Sequence, residues 1–154
     1  MRWHYRDAGL LWLFAPAFAI HVAEEWFTGF PAWLQRIAGR PLPDTAFLII
    51  NAVAMAALMG AIRAATRAER SGWMAVAIAT IVLVNTLAHL AGAALTRSYA
   101  PGLISAVVLY VPLGSLTMIR AMDQADRVQL GRGIVAGLAI HALVFLLAFV
   151  STRV

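Results

Sequence analysis

Histidines and glutamates stand inside two of the most apolar stretches of this 154-residue chain. In FAIHVAEEWF, His21 is followed by Glu24 and Glu25, and the later stretch NTLAH ends in a second histidine, His89. An α-helix has about 3.6 residues per turn, so His21 and Glu25 share one helix face, with Glu24 beside them. Imidazole nitrogens and carboxylate oxygens bind zinc and iron, and they also donate and accept protons.

Acidic side chains are costly at such positions. Placing an acidic residue in the middle of a membrane helix costs roughly 2.5–3.5 kcal/mol, and less near the interface. Two adjacent carboxylates also repel each other. A metal ion, a proton or a neighbouring imidazolium would neutralise them, and ionisable residues inside a membrane indicate a functional site by default.

The composition is that of a membrane protein. Hydrophobic residues make up 62% of the chain and charged residues 12%, whereas a soluble domain carries about 25% charged residues. The absence of cysteine excludes disulfides, thiolate metal sites and cysteine nucleophiles. No glycine-rich phosphate loop is present, which disfavours nucleotide hydrolysis. The net charge of +5 fits membrane topology better than binding to nucleic acid, so no nucleic-acid partner is expected.

Five stretches are long and apolar enough to cross a bilayer, which takes about 20 residues as a helix. No stretch alternates apolar and polar residues as a strand would. We expect an all-α, five-span bundle that forms one domain over residues 1–154. We expect Pro16 and Pro112 to kink the first and fourth spans. The predicted spans are residues 8–28, 44–63, 72–95, 102–120 and 130–150.

The arginines predict an orientation. All twelve basic residues are arginines, and with five spans eight of them fall on the side of the N-terminus. The positive-inside rule places that side in the cytoplasm, with the C-terminus outside a bacterial inner membrane. The tryptophans predicted near span ends, as in an interfacial aromatic belt, are Trp3, Trp26, Trp33 and Trp73. Between the first two spans, residues 29–43 contain a short amphipathic segment around Trp33.

This topology brings several polar residues to a similar depth, in the outer half of the bilayer. They come from four of the five spans: His21, Asn51, His89 and His141. Zinc enzymes use three such protein ligands and mononuclear iron enzymes use two histidines and one carboxylate. A di-iron site usually needs about four carboxylates and is disfavoured here. The expected metal ligands are His21, Glu25, His89 and His141, with Asn51 and Asn85 orienting them and with Glu24 and Glu25 as the acid–base pair.

Three motifs in order resemble those of a known family. HVAEE at residues 21–25, NTLAH at residues 85–89 and YAPG at residues 99–102 are similar to the motifs of the HXXEE family of small bacterial integral membrane proteins. That family's biochemical role is uncharacterised, so the resemblance implies no reaction. It implies instead which residues matter: His21, Glu24, Glu25, Asn85, His89, Pro101 and Gly102.

The function we expect is a membrane-embedded enzyme that uses a divalent metal, zinc or iron, on a lipid or another hydrophobic small molecule. Two alternatives stay open. One is a metal-free acid–base isomerase, and the other is a transporter or binding protein for a proton, a metal ion or a hydrophobic ligand. Polar side chains also hold membrane helices together at about 1 kcal/mol each, which is the structural interpretation of Asn51 and His141.

Overall fold

A computed structural model describes residues 5–67 and 71–153 of the chain. Within these ranges the fold is all-α, as the sequence predicts, and contains no strand. Trp3, His4, Arg2, Glu69 and Arg70 lie outside the described residues. The helices are α1 (Ala8–Trp12), α2 (Phe14–Phe27), α3 (Phe30–Trp33), α4 (Gln35–Ala38), α5 (Asp44–Arg67), α6 (Trp73–Thr96), α7 (Leu103–Ser105), α8 (Val111–Gln124) and α9 (Arg127–Ser151), with a π-helical turn at Ala106–Tyr110.

Five helical segments of the described chain are long and apolar enough to cross a membrane, which confirms the five-span prediction of the fold. They are α1 with α2, α5, α6, α7 with α8, and α9. Two of them run further than predicted, to Arg67 and Gln124, and the last begins earlier, at Arg127. Helix propagation depends on backbone hydrogen bonds, and arginine is a good helix former, so helices continue beyond their apolar part.

Irregular helix geometry occurs near both prolines inside these helices. The first long helix is interrupted at Leu13, between α1 and α2, three residues before Pro16. The π-helical turn Ala106–Tyr110 directly precedes the helix turn that contains Pro112. Proline lacks the N–H that would bond the carbonyl four residues earlier, which explains why regular hydrogen bonding fails just upstream of each.

Helix α6 is the central helix of the bundle. Half of its apolar part is buried, against 11% for α5 and for α9. Helix α9 approaches it closely because glycine replaces a side chain at the contact: a Cβ on Gly137 would lie 2.6 Å from Thr80 Cβ, and Gly133 faces Val76 in the same way. The second contact lies four residues after the first on both helices, so α6 and α9 run in the same direction.

Successive connections lie at opposite ends of the bundle, as expected for five helices that alternate in direction. At one end the backbone N–H of Tyr5 donates to the carbonyl of Ala65 at 2.8 Å, and Asp7 forms an ion pair with Arg120. At the other end Arg36 Nη1, from the connection between α2 and α5, donates to Ser98 Oγ at 2.8 Å. We call α3 and α4, Phe30 to Ala38, the capping segment. The orientation of the bundle relative to a membrane stays a prediction.

Candidate functional site

Three of the predicted site residues meet in the interior of the bundle. His21, Glu25 and His89 have only 2%, 6% and 5% of their surface exposed. Glu25 Oε1 lies 3.6 Å from His21 Nε2 and 3.4 Å from His89 Nε2. The ligand atoms of all three lie within 4.8 Å of one another. Within the described ranges, no other set of three histidine or acidic residues is this closely spaced. We call these three residues the His–Glu–His cluster.

Two helices supply the cluster, as the spacing of the motifs predicts. His21 and Glu25 project from one face of α2, one turn apart, and His89 projects from α6. The imidazole rings of His21 and His89 pack edge to face, with ring centres 5.0 Å apart. The Tyr110 ring also packs against His21, with ring centres 4.6 Å apart. The histidine rings are therefore held in place by aromatic packing as well as by their helices.

The backbone of Gly102 forms one wall of the cluster. Its φ of +93° lies in the left-handed region, where a side chain is unfavourable. A Cβ at this position would lie 2.8 Å from Glu25 Cγ, from His21 Cε1 and from His89 Cε1. Only glycine satisfies both constraints, which gives the Pro-Gly motif a physical reason.

Glu24 takes a different place from its neighbour. Its Oε1 accepts hydrogen bonds from the Tyr99 hydroxyl and, at 3.0 Å, from the Ile104 N–H, while its Oε2 accepts from the Ser105 N–H at 2.7 Å. A carboxylate is favourable at the start of a helix, where backbone N–H groups lack partners. Burial, and then the bond to Glu24, raise the pKa of Tyr99, so this hydroxyl stays a donor at neutral pH. The carboxylate thus anchors α7, and its general-base role stays a prediction.

The other predicted residues lie outside the cluster. Asn51 Nδ2 donates to the Phe47 carbonyl at 3.0 Å within α5. Asn85 Oδ1 is buried one turn before His89 and has no hydrogen-bond partner among the described residues. His141, on α9, is partly exposed and does not join the three ligand atoms. Their roles as orienting residues and as a ligand stay predictions.

The capping segment covers the cluster at one end. The Phe30 ring lies 6.0 Å from the His89 ring. The Trp33 ring packs over Gly92, where an added Cβ would lie only 2.6 Å from it. Leu34 is buried beside them. The amphipathic segment predicted here therefore turns Phe30, Trp33 and Leu34 toward the bundle, whereas Ile37 is exposed.

An apolar groove of about 410 Å³ lies between α2 and α5, and Trp26, Phe47 and Asn51 contribute to its lining. Aromatic rings connect it to the cluster. The centre of the Phe47 ring is 5.7 Å from Trp26 and 6.1 Å from Phe30, and Phe30 in turn contacts His89. The side of the bundle thus carries an apolar groove, and the rings of Phe47 and Phe30 pack between this groove and His89 of the cluster.

Sequence reasoning missed four residues that contact the site. Ser105 Oγ lies 2.9 Å from His21 Nδ1, and Tyr99 binds Glu24. Both lie three residues from Gly102, and this closeness to the Pro-Gly motif is the one feature of the sequence that indicates a role at the site. Tyr110 and Phe30 gave none, because an aromatic residue in an apolar helix looks like any core residue.

Neither a curated protein nor a solved structure matches this chain. A family model described as a protein of unknown function with HXXEE motif matches residues 12–117. The matched region includes the whole His–Glu–His cluster, Gly102 and Ser105, and it ends before α9, which carries His141. Because the match covers more than half of the chain, the protein belongs to the HXXEE family.

Proposed function

We propose that the protein is a membrane-embedded, metal-dependent enzyme whose His–Glu–His cluster binds one divalent ion, zinc or iron. The proposed substrate is a lipid or another hydrophobic small molecule. The observation that carries the proposal is the spacing of the three ligand atoms in a buried site. Two imidazoles and one carboxylate are a ligand set used by catalytic zinc and by mononuclear iron.

The distances fit a shared ion better than direct hydrogen bonds. A charge-assisted bond between imidazole and carboxylate spans about 2.7–2.9 Å, and Glu25 Oε1 stands 3.6 Å and 3.4 Å from the two histidine nitrogens. Atoms bound to one tetrahedral zinc ion at about 2.0–2.2 Å lie about 3.4 Å apart. His21 Nε2 is buried and has no hydrogen-bond partner among the described residues. The two distances from Glu25 Oε1 are close to the separation of two ligands on one such zinc ion.

Three protein ligands leave a position open for substrate. A bound divalent ion polarises a carbonyl or phosphoryl oxygen, or activates a water molecule. Around it, Phe30, Trp33 and Tyr110 exclude bulk water from the cluster. Exclusion of water strengthens electrostatic interactions at a site of this kind.

A hydrophobic substrate is supported by the surroundings of the cluster. The capping segment closes one end, while the groove between α2 and α5 opens to the side and is almost wholly apolar. An apolar groove on the side of the bundle, next to a buried polar cluster, suits an enzyme that takes its substrate from a bilayer, whereas a transporter needs access from both ends. The arginine distribution supports an orientation with the cluster in the outer half of a bacterial inner membrane and the N-terminus in the cytoplasm.

The enzyme hypothesis is tested by incubating the purified protein, loaded with zinc or with iron, in vesicles of bacterial phospholipid extract. We expect mass spectrometry to detect a lipid product that chelation abolishes and that His89→Ala does not form. Ser115→Ala, a partly buried serine on α8, serves as control and should retain the product. A metal-loaded protein that changes no lipid, and instead carries the ion across the vesicle membrane, would favour the transport alternative.

A further inference from the structure

Ser105 lies between the His–Glu–His cluster and Glu24. It is 4% exposed, and its hydroxyl oxygen is 2.9 Å from His21 Nδ1 and 3.2 Å from the Gly102 carbonyl oxygen. Its backbone N–H donates to Glu24 Oε2 at 2.7 Å. One buried serine thus contacts a histidine of the cluster, the anchoring glutamate and the glycine of the Pro-Gly motif.

The direction of these hydrogen bonds follows from their chemistry. The hydroxyl of Ser105 has one proton and two possible acceptors, the Gly102 carbonyl at 3.2 Å and an unprotonated His21 Nδ1 at 2.9 Å. Both contacts are hydrogen bonds only when the proton is donated to the carbonyl and His21 Nδ1–H donates to the hydroxyl oxygen, because the carbonyl can only accept. In a neutral imidazole with the proton on Nδ1, the lone pair is on Nε2. His21 Nε2 is the atom that faces Glu25, and it is buried without a hydrogen-bond partner among the described residues.

We propose that Ser105 is a positioning residue that fixes His21 in the tautomer protonated at Nδ1 and so aims the Nε2 lone pair into the cluster. Its effect on metal affinity rests on the proposed function, whereas the tautomer is a property of the metal-free protein. Mutation of a residue that holds the second nitrogen of a ligand histidine in this way typically weakens metal binding by about 10–100-fold.

This role links the adjacent glutamates of the HXXEE motif. Glu25 faces the Nε2 side of His21, while Glu24 holds the backbone of Ser105, whose hydroxyl holds the Nδ1 side. The i, i+3 and i+4 spacing brings Glu25 to the histidine itself and Glu24 to the serine that contacts the other ring nitrogen. Two neighbouring glutamates therefore perform different tasks on one imidazole ring.

A purely structural serine would behave differently. A helical serine often bonds the carbonyl three or four residues earlier, and the bond from Ser105 to Gly102 is of this type. If that bond were its whole purpose, removing the hydroxyl would lower stability and leave the tautomer of His21 unchanged. The tautomer is therefore the readout that separates positioning from simple support.

The experiment is ¹⁵N NMR of the metal-free protein, labelled at histidine and held in detergent micelles, with His21→Gln used to assign the signal. We expect wild type to show His21 protonated at Nδ1. Ser105→Ala should shift the signal to the Nε2-protonated form or to a mixture, and Ser105→Thr should restore the wild-type pattern. Ser115→Ala, a partly buried serine on α8, is the control and should leave the signal unchanged.

A zinc titration of the same variants gives the second readout. We expect Ser105→Ala to weaken zinc binding by about 10–100-fold, with Ser105→Thr and Ser115→Ala close to wild type. A His21 that stays protonated at Nδ1 in Ser105→Ala overturns the proposal. If Ser105→Ala fails to fold, Ser105→Cys, of similar size with a weak hydrogen-bonding thiol, replaces it and must show the same tautomer shift. If wild type binds no zinc but Ser105→Ala still shifts the tautomer of His21, the proposed function is wrong and the role of Ser105 is supported.

Discussion

Glu25→Gln is expected to abolish stoichiometric metal binding, whereas Glu24→Gln, one residue earlier, is expected to retain it. Glu25 Oε1 is the atom that both histidines of the cluster face, and its side chain is buried. An amide has almost the same shape but no negative charge, so the site loses its only anionic ligand. We expect the affinity to fall by more than the 10–100-fold typical of a residue that merely orients a ligand.

Glu24→Gln should act on stability instead. The carboxylate accepts three hydrogen bonds at the start of α7, and the neutral amide keeps one acceptor oxygen and adds a donor that faces donors. Loss of such a charged contact typically costs about 1–2 kcal/mol of unfolding free energy. Metal content and detergent-phase unfolding of the two variants, measured side by side, check the pair. Equal metal loss in both variants would contradict the division of tasks.

Gly102→Ala is expected to damage both the fold and the metal site. A left-handed φ costs an alanine about 1 kcal/mol or more, and its Cβ would stand 2.8 Å from a carbon of each cluster residue. Overpacking adds about 1–3 kcal/mol. The expected loss of unfolding free energy is therefore about 2–4 kcal/mol, with metal binding lost because the ligands are pushed apart.

Gly39→Ala provides the matched control. Gly39 has nearly the same φ, +80°, but nothing lies within 4 Å of its added Cβ. It should lose only the backbone contribution of about 1 kcal/mol and should retain the metal. Thermal unfolding and a zinc titration of both alanine variants measure the difference. If Gly102→Ala is tolerated as well as Gly39→Ala, the backbone of the Pro-Gly turn does not form the wall of the cluster.

The sequence predicts the helices well because apolar length determines them directly. It also predicts that His21 and Glu25 share a face, since helical spacing alone decides this. The helix ends are less predictable, because arginine-bearing turns at Arg67 and Arg127 extend helices beyond their apolar segments.

Similar depth is weaker evidence than a shared helix face. Depth correctly brings His89 to His21, but the same reasoning expects Asn51 and His141 beside them, and both lie outside the cluster. Depth gives a position along a helix axis and not the rotation about it. That rotation depends on contacts such as Gly137 against Thr80, which pack α9 on α6. The position of His141 in the sequence does not reveal these contacts.

The separation of Glu24 from Glu25 also needed the structure. In the sequence the two carboxylates are equivalent neighbours in one helix. Their difference arises from a second helix, because α7 begins beside Glu24 and presents two backbone N–H groups to it. Ser105 was missed for the same reason, since its partner His21 is 84 residues away in the chain.

We propose that His21, Glu25 and His89 bind one metal ion, and elemental analysis of the purified wild-type protein is the decisive experiment. We expect about one zinc or iron ion per chain as purified or after reconstitution, and none in the His89→Ala variant. Wild-type protein that holds no metal, even after reconstitution with zinc and with iron, would show that these three residues are not a metal site.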